Sequence, residues 1–138
     1  MLIGCATNRE PLTQEQKIDR AARVLKIAVS SAVTVAADDR NPETRAKIVE
    51  ARRLVNLVLT TDQLDPEKIV QSLSPLWRDA KPEIRVAATS AMALMEAYFM
   101  EYVVPLPEVS GHANAVKFLS AVLAGIDEGL SLAPPVRE

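Results

Sequence analysis

The sequence predicts an all-α domain of about five helices, packed as antiparallel helical hairpins in a compact bundle. Its apolar residues are mainly Ala, Val and Leu, with 4% aromatic residues and four glycines among 138 residues. This composition is typical of packed helices rather than of sheets with tight turns. Prolines that follow capping residues divide the chain into segments of helical length, and apolar residues recur in them at helical spacing. The length suits one domain with its own core.

The first helix is predicted from Thr13 to about Ala37. Thr13 and Gln16 form a capping-box pattern at its start. The segment 24–37 carries one charge and is rich in Val, so its composition also fits a strand. The preceding residues are rich in Lys, Arg and Ala, and they favour a buried helix.

The second and third helices each begin at a capping residue followed by proline. Asn41-Pro42 opens a helix over about 42–60, and Asp65-Pro66 opens a shorter helix to about Trp77. Pro75 is predicted to interrupt the third helix or to lie in a bend near its end. The apolar residues of the second helix are Ile48, Ala51, Leu54, Val55, Val58 and Leu59.

The fourth helix is predicted over about 82–104, after Lys81-Pro82-Glu83. From Val86 to Val104 only Glu96 and Glu101 are charged. The length approaches that of a membrane span, but two carboxylates within the segment favour a central core helix.

The last helix is predicted to begin at Ser110 or Gly111, after an extended linker over 103–109 that contains two prolines. The tail over 133–138 is predicted to be disordered. The predicted apolar stripe of this helix is Val116, Leu119, Leu123, Ile126 and Leu130.

The composition argues against several classes of function. A net charge of −2 lacks the basic footprint of a nucleic-acid-binding protein. One cysteine and one histidine provide neither an internal disulfide nor a zinc site. The sequence contains neither a Gly-x-Ser-x-Gly motif nor a phosphate-binding glycine loop. We therefore predict no enzymatic activity, no cofactor, no metal and no small-molecule substrate.

The carboxylates of the fourth helix are the only candidates for acid–base chemistry. Glu101 follows Glu96 by five positions, which places the two side chains about 140° apart around the helix. We expect each to pair with a Lys or Arg, and an enzyme would need a second acid close to Glu96. His112 has no partner at a recognisable spacing and is predicted to lie on the surface.

A candidate interaction patch lies on the second helix and at the end of the third. Arg45, Arg52 and Arg53, with Lys47 beside them, would face anionic lipid headgroups or an acidic partner, and Trp77 would serve as an anchor. The alternative is a solvated helix face with Glu partners along the helix, and a tryptophan needed for the core.

Two helix starts repeat each other at an offset of 40 residues. Asp39-Arg40-Asn41-Pro42-Glu43-Thr44-Arg45 aligns with Asp79-Ala80-Lys81-Pro82-Glu83-Ile84-Arg85. The pattern, over 39–99, resembles the turn and second helix of a HEAT repeat. That resemblance implies that Asp39, Asp79, Arg45 and Arg85 bridge neighbouring units. Because only two units are visible, we expect a HEAT-like compact bundle rather than a solenoid.

The N-terminal residues resemble the lipobox of bacterial lipoproteins. Leu2-Ile3-Gly4-Cys5 matches its pattern of a Leu, two small or apolar residues and a Cys. The resemblance implies that Cys5 becomes the lipidated first residue of the mature protein, and that Ala6 directs a Gram-negative lipoprotein to the outer membrane. A signal peptide needs an apolar region of about 7–15 residues before the cleavage point, whereas four residues precede Cys5. Either the chain begins inside that region, or the match is accidental.

The domain organisation and function follow from these resemblances. Residues 1–12 would be a signal remnant and flexible tether, and 13–132 the single helical domain. The protein would be a lipid-anchored, non-enzymatic interaction or scaffold domain of the bacterial cell envelope. The alternatives are a cytosolic HEAT-like adaptor that binds a protein partner, and a phage lysis or superinfection-exclusion lipoprotein.

Overall fold

The computed structural model describes residues 11–38, 40–61 and 65–135. The predicted all-α fold is confirmed, because five helices and no strands make up the regular structure of these residues. The helices are α1 (Gln14–Ala37), α2 (Pro42–Leu59), α3 (Pro66–Trp77), α4 (Pro82–Tyr102) and α5 (Glu108–Leu132).

The helix starts follow from the capping residues seen in the sequence. The Gln16 N–H donates to Thr13 Oγ1 over 3.1 Å, and the Thr13 N–H donates to Gln16 Oε1 over 2.9 Å. This reciprocal pair satisfies two backbone donors that the helix itself leaves free. The side chains of Asn41 and Asp65 likewise accept from the second helical N–H of α2 and α3. Pro75 lies in the last turn of α3, which continues to Trp77.

The prediction of an extended linker over 103–109 is wrong, because α5 already begins at Glu108 and the preceding residues form turns. The Leu106 N–H donates to the Val103 carbonyl over 3.2 Å. This turn packs onto the start of α5 at Gly111, where a Cβ atom would lie 2.7 Å from the Val103 carbonyl oxygen. The glycine is therefore a point of close backbone approach inside the helix rather than its beginning.

The five helices form a ring. The most extensive contact joins the first and last helices, α1 and α5, and α1 also packs on α4. On its other side α5 packs on α2. Helix α2 packs on α3, and α3 packs on α4, which closes the ring. Because successive helices alternate in direction, α1 and α5 run parallel, with Lys117 bonded to Asp19 and Lys26 to Glu128 further along.

Two glycines of α5 allow the close approach of α1. A Cβ atom at Gly125 would lie 2.6 Å from the Lys26 carbonyl oxygen, and one at Gly129 would lie 2.6 Å from the Val33 Cβ. Both distances are below van der Waals contact, so only glycine fits at either position. The face of α5 that is buried is therefore rotated around the helix axis relative to the predicted apolar stripe. Three residues of that stripe, Val116, Leu123 and Leu130, lie half-buried at the edge of the buried face. Its buried residues are Gly111, Asn114, Ala115, Phe118, Leu119, Val122, Gly125, Ile126 and Gly129.

The largest buried side chains lie where α4 and α5 face each other. Phe118 is fully buried, and its ring lies 5.7–6.1 Å from those of Tyr98, Phe99 and Tyr102, measured between centroids. Asn114 is a buried polar residue that donates to the Tyr102 carbonyl over 2.8 Å. Burial raises the pKa of the Tyr102 phenol, and the adjacent Glu101 adds to that effect. The aromatic residues thus serve the core.

Candidate functional site

The arginines of the predicted interaction patch have carboxylate partners. Arg52 donates from both Nε and Nη2 to the two carboxylate oxygens of Asp127, over 2.6 and 3.2 Å, and so joins α2 to α5. Arg53 makes a similar paired contact with Glu50 one turn earlier in α2. Hydrogen bonding to Arg53 lowers the pKa of Glu50, and hydrogen bonding to Asp127 raises the pKa of Arg52.

The other two patch residues lie in different surroundings. Arg45 is half-buried in the first turns of α2. Trp77, also half-buried, lines the crevice at the centre of the helical ring. The indole therefore contributes to the wall of the core, while Arg52 and Arg53 are engaged on the outside of α2.

The remaining candidate residues are dispersed. Glu96 and Glu101 are exposed on α4, and His112 is exposed on α5. Within the parts of the chain that the structure describes, no three His, Cys, Asp or Glu side chains lie close enough to hold a metal ion.

The residues named by the HEAT and lipobox resemblances are only partly described. Cys5 and Asp39 lie outside the described residues. Asp79 and Arg85 are exposed, and neither forms an ion pair with another described residue. The bridging of repeat units thus has no counterpart at Asp79, where it would be visible.

The crevice at the centre of the ring is small and apolar. Its volume is about 70 Å³, and all five helices contribute to its wall. Small-molecule sites typically measure about 300–1,000 Å³ and carry a few convergent polar groups. This space is smaller than such sites, and its size reflects the short side chains that line it. The alanines that leave it unfilled are Ala32, Ala36, Ala51, Ala88 and Ala91.

The prediction that the fourth helix is a central core helix is only half right. Of the residues of α4, only Ile84, Met95 and Phe99 are buried. The helix packs between α3 and α1, so the ring covers its inner side and leaves the outer side open. An apolar helix with one uncovered side differs from the fully enclosed helix that such a sequence usually forms.

The uncovered side of α4 presents a regular stripe of small and apolar residues that sequence reasoning missed. Val86 and Met100, at its ends, are 65% and 56% exposed. The stripe residues, all exposed, are Val86, Ser90, Ala93, Ala97 and Met100. They follow each other at intervals of four, three, four and three, the spacing of a seam that packs against one other helix. The signal was present in the sequence, but only the structure shows that this side is uncovered.

Charges border the stripe on both sides. Glu83 and Glu101, separated by about five whole turns, share one angle on the side of α1. Arg85 and Glu96 border the other side, beside a groove that is also lined by Arg78, the residue that follows α3. We term the stripe and these bordering residues the outer face of α4. One flank of this face is acidic, and the other carries two arginines and one acid.

No described helix has both the length and the apolar character needed to cross a bilayer. No family model matches the chain, and no curated protein or solved structure matches it significantly.

Proposed function

We propose that this protein is a membrane-tethered lipoprotein of the bacterial envelope whose bundle binds a helix of a partner protein without catalysis. The observation that carries the binding role is the uncovered outer face of α4. A helix face of small and apolar residues at 3–4 spacing that the fold leaves uncovered is a surface against which another helix can pack. The tether rests on Leu2-Ile3-Gly4-Cys5, which resembles a lipobox.

The stripe suits a single helix as its occupant. Ser90, Ala93 and Ala97 in the middle are small, so a second helix can approach closely there, while Val86 and Met100 provide larger contacts at the ends. The 3–4 spacing matches the shallow crossing angle at which two helices interdigitate. The favoured partner is a helix with an apolar seam, basic residues on one flank and acidic residues on the other.

The bordering charges favour a different protein over a second copy of this chain. In an antiparallel pair of α4 helices, equal flanks meet, so Glu83 would approach Glu101 of the second copy. In a parallel pair, opposite flanks meet, and Glu101 would approach Glu96 of the second copy. Charges that flank the seam between two packed helices influence partner choice, and like charges there oppose pairing. A partner with matching charges avoids both conflicts.

The tether is tested by fatty-acid labelling in a Gram-negative host, with the gene expressed together with the DNA that precedes it in its genome. We expect labelled protein in the membrane fraction and no label on the Cys5→Ser variant. Label that persists in Cys5→Ser would contradict the proposed anchor. A chain that carries no label in either form would instead fit the cytosolic adaptor.

The binding role is tested with two synthetic helical peptides that share a Leu/Ala seam at 3–4 spacing. One peptide carries Lys on one flank and Glu on the other, and the second carries Glu on both flanks. We expect the mixed peptide to bind more tightly. Ala93→Glu should weaken that binding at least about tenfold, because it buries an unpaired charge.

A matched substitution on another helix controls for this result. Ala124 is exposed on α5, so Ala124→Glu changes the net charge equally and should leave peptide binding unchanged. Equal affinity of both peptides, or equal loss in both variants, would refute the assignment of the outer face of α4. Concentration-dependent dimerisation that Ala93→Glu abolishes would show a second copy as the occupant.

A further inference from the structure

A second surface lies on the outward side of α1, separate from the outer face of α4. Five exposed side chains share an arc of about 120° around this helix, at about 100° per residue. They are Lys17, Arg20, Arg23, Val24 and Ile27, and they form what we term the basic face. Val24 is 41% exposed and Ile27 is 58% exposed. Cations and exposed aliphatic residues on one helix face are typical of helices that lie at a membrane interface.

The part of the fold that the structure describes does not neutralise the charges of the basic face. No described carboxylate lies within ion-pair distance of Lys17, Arg20 or Arg23. The acids nearest in sequence are directed elsewhere, since Asp19 is bonded to Lys117 of α5 and Glu15 lies about 180° around the helix from Val24. The face is locally cationic on a protein whose net charge is −2, so the overall charge of the chain would not by itself attract it to an anionic surface.

The basic face is also the helical surface nearest in sequence to the proposed anchor. Thr13, the cap of α1, follows Cys5 by eight positions, and eight residue steps reach at most about 28 Å when fully extended. A lipid on Cys5 would therefore hold the start of α1 close to the bilayer.

We propose that the basic face docks on the surface of an anionic phospholipid bilayer. Lys17, Arg20 and Arg23 contact the headgroups, and Val24 and Ile27 enter the interfacial layer. Because α4 lies beside α1 in the ring, its outer face would then point sideways or away from the membrane. A partner helix could reach the face in either orientation. The orientation by an anchor rests on the proposed function, whereas the attraction between the basic face and the lipid does not.

The test uses the full chain with Cys5→Ser, so that no lipid contributes. Binding is measured by co-sedimentation with vesicles of phosphatidylcholine, and with vesicles in which about a third of the lipid is phosphatidylglycerol. Each basic residue near an anionic surface raises the binding constant about fivefold, so three predict about 100-fold tighter binding to the anionic vesicles. Raising the salt concentration should weaken this binding.

Two triple variants with the same change in net charge separate the face from the overall charge. Lys17→Glu, Arg20→Glu and Arg23→Glu together should abolish the preference for anionic vesicles. The control replaces three exposed cations outside α1, namely Arg40→Glu, Lys68→Glu and Lys81→Glu, and should retain most of it. Ile27→Ser should lower the affinity without changing the salt dependence.

Three outcomes would overturn the proposal. They are equal binding to both vesicle types, equal loss in the two triple variants, and binding to the soluble polyanion heparin without binding to vesicles. Because the chain used here cannot be acylated, these results are independent of the labelling experiment. Lipid binding by a chain that is never labelled would support the basic face and refute the anchor. Labelling at Cys5 without vesicle binding by the Cys5→Ser chain would support the anchor and refute the basic face.

Discussion

Replacing Gly129 by alanine tests whether close backbone approach between α1 and α5 holds the bundle together. In the structure, a Cβ atom at this position would lie 2.6 Å from the Val33 Cβ and 2.9 Å from the Ser30 carbonyl oxygen. The second atom belongs to the backbone of a helix, so a rotamer change cannot relieve the clash. The two helices that share the most extensive contact in the protein would have to move apart.

The expected magnitude combines two opposing effects. Alanine is favoured over glycine inside a helix by about 1 kcal/mol. Overpacking a well-packed contact costs about 1–3 kcal/mol, and the backbone clash places Gly129→Ala at the upper end of that range. The free energy of unfolding should therefore fall by about 2 kcal/mol, which lowers the melting temperature of a domain of this size by about 8 °C.

The assay is urea and thermal unfolding followed by circular dichroism. Ala124→Gly, on the exposed side of the same helix, measures the intrinsic alanine–glycine difference and should destabilise by about 1 kcal/mol. The packing cost of Gly129→Ala is then the measured loss in its free energy of unfolding plus the alanine–glycine difference measured with Ala124→Gly. A Gly129→Ala variant that is as stable as the parent chain, or more stable, would refute the close approach of the two helices.

Three further predictions concern the core and its edge. Asn114→Ala leaves the Tyr102 carbonyl without its donor and should lower the free energy of unfolding by about 1–2 kcal/mol in urea denaturation. Leu73→Ala enlarges the central crevice that Leu73 lines and should cost about 3 kcal/mol in the same assay. Hydrogen bonding to Arg53 lowers the pKa of Glu50 in the folded state. The stability that this contact adds to the fold is therefore present above the pKa of Glu50 in the unfolded chain, and it is lost as the pH falls through the lower pKa in the folded chain. Arg53→Gln should therefore lower the melting temperature at neutral pH but not in acid, and NMR titration should show the Glu50 pKa moving up towards its ordinary value.

Two surface substitutions provide controls for the first two of these. Asn56 and Leu57 are exposed on α2, so replacing either by alanine should change stability far less than the buried counterpart does. Losses as large as those of Asn114→Ala or Leu73→Ala would contradict the assigned burial. For Arg53→Gln, the control is the pH dependence. If the melting temperature of this variant lies below that of the parent chain by the same amount at every pH, the contact with Glu50 is not the origin of the lower stability.

The positions of the helices were predictable from the sequence because their signals are local. A capping side chain and a proline act on the backbone within one turn, so Thr13, Asn41 and Asp65 mark helix starts without reference to the rest of the chain. Where the cap was ambiguous, at Pro107, the prediction missed the start of α5. The all-α class follows from the same local preferences, summed along the chain.

Which surfaces meet was decided by the tertiary structure. Gly125 and Gly129 carry no apolar side chain, so an apolar pattern cannot reveal that they form the seam with α1. Helix α4 is apolar on nearly every side, so its sequence does not indicate which side the ring encloses. The candidate sites on α1 and α4 likewise depend on which arcs the neighbouring helices cover. Local interactions determine where a helix begins and ends, but the choice among its apolar faces depends on shape complementarity between segments distant in the chain.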